Sequence, residues 1–145
     1  MAQLSSILVY LLYFSFFLFL VLGPLALPLY AFIYSSKAIN DNFQAYQNEI
    51  REGDLICYAV KANSNLHILK LLSDLGSGFD VVSGNELKRC LLAGADKNKI
   101  VFSGVAKTEE EITLAIENDI LSINIESYGE FERILEVSKE LNKKV

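Results

Sequence analysis

The sequence contains one histidine and two cysteines, and no charged side chain precedes Lys37. One histidine and two separated thiols do not make a zinc site or a redox dithiol, because Cys57 and Cys90 lack the paired spacing that either requires. Both are read as core thiols, Cys57 inside an apolar run and Cys90 inside a helical one. His67 opens a helical stretch, where capping or exposure accounts for it. Positive charge is also scarce: 13 Lys and Arg face 18 Asp and Glu, a net charge of −5. No basic stripe interleaved with aromatics is present to follow a phosphate backbone, so a nucleic-acid partner is excluded.

The missing charge at the start leaves a long apolar run. Residues 4–22 come close to the roughly 20 residues that span a bilayer, and Gly23 and Pro24 end the run. The expectation is a transmembrane helix, or an uncleaved signal-like segment, through which the chain would insert. The first residues lack the Lys or Arg of a secretory leader, and a small-residue cleavage site is missing. With Lys37 as the first cation, the positive-inside tendency places the following domain on the cytoplasmic side. A shifted reading frame or misjudged start would produce the same junction, and both readings stand. The division expected is an apolar segment over 1–27 and a folded domain over 28–145.

Beyond it the pattern alternates. A strand is expected over 28–34, then a helix over 37–50 with Ile39, Phe43, Tyr46 and Ile50 on one stripe. Strand–helix pairs follow at 55–60 and 65–75, 79–82 and 85–92, 100–102 and 109–118, and 121–125 and 128–141. Gly76 and Gly94 fall where helices should stop. Thr108 with Glu111 and Ser127 with Glu130 fit the capping-box spacing. Short strands alternating with amphipathic helices imply a parallel sheet. A closed (β/α)8 barrel needs about 250 residues, so 145 residues suit a smaller fold or part of a barrel.

The stretch that organises the domain is Leu55 to Asn63, an apolar run that reads as a strand buried on both faces and ends in Lys61. A lysine there either begins a solvated loop or serves as a nucleophile, since partial burial favours the neutral amine that attacks a carbonyl. Periodicity does not choose between them.

The wording does. Tyr58-Ala59-Val60-Lys61-Ala62-Asn63, then the run from Gly76 through Phe79-Asp80-Val81-Val82-Ser83-Gly84-Asn85-Glu86 to Leu87, then Phe102-Ser103-Gly104-Val105-Ala106-Lys107-Thr108, resemble in order the fold-type III pyridoxal-phosphate decarboxylases of the ornithine, diaminopimelate and arginine group. The diaminopimelate branch is the nearest, and the resemblance covers roughly 36–145.

It implies an α/β fold, the first half of a pyridoxal-phosphate-binding TIM-type (β/α)8 barrel of the alanine racemase kind, present here as an amino-terminal fragment. Lys61 would be the Schiff-base lysine, with Ala59 and Asp80 also at the cofactor. The activity implied is decarboxylation of the small-molecule amino acid meso-2,6-diaminopimelate to L-lysine by a cytoplasmic enzyme that is a homodimer at full length. Other enzymes of the same fold, and a non-catalytic membrane-anchored half-barrel, are the alternatives. Ser83, Ser103, Asn124 and Glu126 also fall at strand ends, where parallel barrels keep their reacting groups. Glu86 is either functional or a first-turn helix glutamate, and Asn85 stands where the family motif has a glycine. Lys107 either faces an anion at the barrel mouth or is solvated, and Ser127 is a helix cap. A half-barrel would also leave an open strand edge near Ile123.

Overall fold

A computed structural model describes residues 34–145. The apolar segment 4–22, and the strand expected over 28–34 apart from its last residue, lie outside the described residues. Among the described residues no helix is long and apolar enough to cross a membrane.

Each apolar run of three or four residues becomes a strand, and each following amphipathic run becomes a helix. The strands are β1 (Cys57–Ala59), β2 (Gly78–Val81), β3 (Ile100–Phe102) and β4 (Ser122–Ile123), all parallel, in spatial order β1-β2-β3-β4. The helices are α1 (Ser36–Gln47), α2 (Leu66–Asp74), α3 (Gly84–Leu92), α4 (Glu109–Glu117) and α5 (Tyr128–Glu140).

Register divides the sheet into two faces. Tyr58, Phe79 and Ile100 are ladder partners, as are Val81, Phe102 and Ile123. Phe79, Val81, Ile100 and Phe102 are fully buried with Leu69, Leu87 and Cys90 from the helices, so this is the helix face. Side chains alternate along a strand, which puts the ladder Ala59, Asp80, Val101 and Ser122 on the opposite face. A second apolar cluster, Ile112, Ile116, Ile134 and Val137, holds α4 against α5.

The glycine stops behave as expected. After α2, the amide of Gly76 (φ +89°) donates to Ser73 O and that of Ser77 to Leu72 O; Gly94 (φ +83°) and Ala95 repeat this on Leu91 and Cys90 after α3. These are Schellman closures, which need the left-handed conformation glycine adopts without strain.

Several expectations are corrected. The lysine strand is shorter than 55–60, and Val60–Ala62 turns instead into one turn of 3-10 helix that contains Lys61. Nor is β1 dry on both faces: it pairs only with β2 among the described residues, and its residues, Cys57 included, are half-buried. Cys57 is therefore not the core thiol expected, whereas Cys90 is fully buried. α1 ends at Gln47 rather than residue 50, and of its stripe Phe43 is buried while Tyr46 is 69% exposed. β4 spans two residues rather than five.

β4 pairs only with β3 among the described residues. Leu121, Ile125, Phe131 and Leu135 are exposed beside it, lining a groove of about 480 Å3. This is the edge anticipated near Ile123.

Two glycines provide a test of the packing. A Cβ on Gly104 would meet Val82 O at 2.3 Å, whereas one on Gly129, inside α5, would meet nothing within 4 Å. Gly104→Ala should cost about 1–3 kcal/mol through overpacking against backbone. Gly129→Ala should gain about 0.5–1 kcal/mol from helix propensity. Urea-denaturation midpoints of the two variants, compared with wild type, should shift in opposite directions.

Candidate active site

Lys61 follows Val60, which is fully buried in the helix-face core, and is itself exposed. Lys61 stands in the 3-10 turn that leaves the carboxyl end of β1, two residues beyond Ala59, the ladder partner of Asp80. Its ammonium makes no hydrogen bond or ion pair with any described residue. The burial that was to favour a neutral amine is not provided by the described residues.

Asp80 lies on the sheet face opposite the helices, as the ladder partner of Ala59. Its Oδ1 is buried and accepts no hydrogen bond from any described residue. A buried acceptor left without a donor is costly, so the position favours a group that can donate to it.

Ser103 and Asn124 extend the ladder one residue beyond β3 and β4: the amide of Ser103 donates to Val81 O at 2.8 Å and that of Asn124 to Phe102 O at 2.9 Å. Both follow helix-face residues, so both fall on Asp80's face, and Asn124 Nδ2 donates to Ser103 Oγ at 2.9 Å.

The strand-to-helix corners are closed by one recurring device, Ser or Thr followed three residues later by Glu. Ser83 Oγ accepts from Glu86 N, and Glu86 Oε2 accepts from Val82 N at 2.9 Å. Thr108 and Glu111 form the full reciprocal box, and Glu111 Oε1 also reaches back to Gly84 N at 2.7 Å. Ser127 Oγ accepts from Glu130 N, but Glu130 does not return to the cap; Oε2 takes Glu126 N at 2.8 Å while Oε1 turns to Lys107. The box expected at 127–130 is therefore half-formed: as at the 83–86 corner, the glutamate takes the amide one residue before the cap, and its other oxygen here serves a buried cation. Of these three corners the 83–86 one escaped the sequence reading, although its spacing is the same.

Glu86 thus acts as a corner residue. Asn85 is exposed in the first turn of α3 with an ordinary helical backbone, so replacing the family's glycine costs no strain there. Ser77, between two glycines, donates its hydroxyl to Gly78 O and Ile56 O. His67 is exposed, and its amide donates to the cap Asn65.

Lys107 overturns its expected solvation. Its side chain is 0% exposed, Nζ donates to Asn124 O at 2.7 Å and to Glu130 Oε1 at 3.2 Å, and it sits 5.6 Å from the centroid of the Phe102 ring. The reason is local: Glu130, 2% exposed, offers a buried countercharge, and the Phe102 ring offers an electron-rich face.

Burial, reinforced by the Glu86 carboxylate, pushes the Cys90 thiol up to about 12. Burial and then Asp80 raise Cys57 as well. Both sulfurs stay protonated at neutral pH.

A family model described as pyridoxal-dependent decarboxylase, pyridoxal binding domain, matches residues 36–145, and the chain belongs to this family. Among curated relatives, diaminopimelate decarboxylase of Neisseria meningitidis serogroup A is 49% identical over 117 residues, covering 80% of this chain and 28% of the relative. The crystal structure of diaminopimelate decarboxylase from Helicobacter pylori complexed with L-lysine superposes with a TM-score of 0.74 at 44% identity, covering 77% of this chain and 29% of that one. Ornithine decarboxylase from Entamoeba histolytica superposes at 0.65 with 27% identity over 71% of this chain. The chain thus spans somewhat over a quarter of the length of the diaminopimelate decarboxylases it matches.

The family's cofactor is pyridoxal phosphate, and the residues present fit it. Asp80 offers a buried oxygen with no donor among the described residues, and Lys61 offers an exposed amine in the turn that follows the neighbouring strand.

The corner carboxylates make stability pH-dependent. The Gly84 amide above all, with further bonds from Thr108, holds Glu111 below the ordinary glutamate value of 4.5. For Glu130, burial works against ionisation, but the Glu126 amide and the Lys107 ammonium outweigh it and hold the carboxyl low. A depressed folded-state value stabilises above the unfolded value, and that contribution disappears as pH falls through the folded one. Urea midpoints should therefore hold from pH 7 to 5 and decline below about pH 4.5, and Glu111→Gln should flatten the decline.

Proposed function

We propose that this chain carries the lysine-bearing part of a pyridoxal-phosphate-dependent decarboxylase that converts meso-2,6-diaminopimelate to L-lysine and carbon dioxide. The observation that carries the reading is the buried Oδ1 of Asp80, without a donor among the described residues, at the carboxyl end of the strands beside the turn that carries the exposed Lys61. Pyridoxal phosphate supplies, when bound, the electron sink that lets an amino acid lose carbon dioxide.

The chain's own residues have narrower tasks. With pyridoxal phosphate bound, Lys61 would hold it covalently through its side-chain amine. The Asp80 carboxylate would favour the protonated form of an amine brought within its reach. Ala59, the ladder partner of Asp80, has no side chain beyond Cβ and leaves room beside the carboxylate.

The choice of diaminopimelate is supported by the relatives, since the two diaminopimelate decarboxylases stand well above the ornithine decarboxylase in identity. Because the chain spans somewhat over a quarter of those relatives, we expect negligible turnover from it alone.

The test is reductive trapping. Incubation of this chain with pyridoxal phosphate, borohydride reduction and peptide mapping should place a pyridoxyl group on Lys61 ahead of the other nine lysines. Lys61→Ala should abolish that adduct and leave the urea midpoint within about 0.5 kcal/mol of wild type, as for an exposed side chain. Labelling spread evenly over the surface lysines would refute the assignment.

A further inference from the structure

We infer that Lys107 is a positioning residue that acts from the helix side of the sheet, fixing the end of β4 so that Asn124 and Ser103 present a set polar pair on the face of Asp80. The inference rests on the reading of Lys61 given above.

Three observations carry it. First, Lys107 is engaged wholly within the protein: its ammonium binds Asn124 O and Glu130 Oε1, and its side chain is 0% exposed. A cation so enclosed does not meet an anion from solvent. Second, the group it holds is the backbone of the very residue whose side chain crosses the sheet. Asn124 is bonded at O by Lys107, at N to Phe102 O, and at Nδ2 to Ser103 Oγ. The ladder itself ends at Ile123, so beyond it the Lys107 bond is what restrains the carbonyl of Asn124. Third, the pair it sets is incompletely used. With Asn124 Nδ2 given to Ser103 Oγ, the Ser103 hydroxyl proton and Asn124 Oδ1 have no partner among the described residues.

One donor and one acceptor therefore stand one step along the strands from the Asp80–Val101 ladder pair, on the face that alternation gives Asp80. They suit the polar groups of an amino acid or of the cofactor held there. Lys107 touches neither. Its effect runs through Asn124, and Glu130 neutralises the cost of burying the charge.

The experiment measures, on the full chain, the pyridoxal phosphate concentration that gives half-maximal borohydride-trapped adduct on Lys61, alongside the melting temperature. Lys107→Met leaves Glu130 buried and unpaired, so its melting temperature should fall; adding Glu130→Gln removes the stranded charge and should recover most of it. A positioning role predicts that the concentration stays raised by about tenfold in both variants, because neither restores the bond to Asn124. Ser103→Ala should melt like wild type and raise the concentration by about threefold. If trapping recovers with the melting temperature in the double variant, Lys107 is merely structural and the inference is wrong. Wild-type labelling with no preference for Lys61 overturns the reading of Lys61 itself, and this inference with it.

Discussion

The structure depends on one constraint, the alternation of the strands against a dry helix layer. Val60, Phe79, Val81, Ile100 and Phe102 must all be buried on the same side, and each is fully buried. A slip of one residue in β2 or β3 would turn Phe79 and Val81, or Ile100 and Phe102, out of that layer. Burying these large side chains at about 1.5–3 kcal/mol each makes that slip prohibitive. The same alternation places Asp80, Ser103 and Asn124 together on the other face, without requiring any of them to contribute to stability, and Lys61 stands in the turn just beyond β1. Chemistry-bearing residues are thus positioned as a by-product of packing.

This explains which features the sequence made legible. Apolar runs and glycine stops follow from local physics, so the alternation of elements and the helix ends at Gly76 and Gly94 were readable, with bounds off by a few residues. The lysine segment was over-read because a run of apolar residues looks alike whether it forms an inner strand or an edge strand. β1 has one neighbour among the described residues, and half-burial follows from that rather than from composition. The requirement for glycine at Gly104 was invisible for a similar reason, since the clash is with Val82 O, 22 residues back in the chain.

The site divides along the same line. Lys61 and Asp80 were legible through their motifs, and the geometry adds that Asp80 carries a buried oxygen with no donor. The partnership of Lys107 with Glu130 joins residues 23 apart across two corners. A capping-box pattern at 127–130 pointed the glutamate at its own helix. Its two oxygens instead serve the Glu126 amide, one residue before the cap, and the buried Lys107 ammonium, which is a tertiary partner.

Energetic scale separates this pair from the other ion pairs. Lys37 with Asp41 is 83% and 54% exposed, and such pairs contribute between zero and about 1 kcal/mol. Lys107 with Glu130 is 0% and 2% exposed, and removing one partner of such a pair typically costs about 3–5 kcal/mol. Yet an apolar pair of the same volume would often serve stability as well or better. Stability alone therefore does not account for a lysine here. A methionine or leucine could fill the space over Phe102, but neither could donate to the carbonyl of Asn124. What the charge adds beyond packing is a directed bond to one backbone atom at the end of the last strand, and that atom belongs to the residue facing the site.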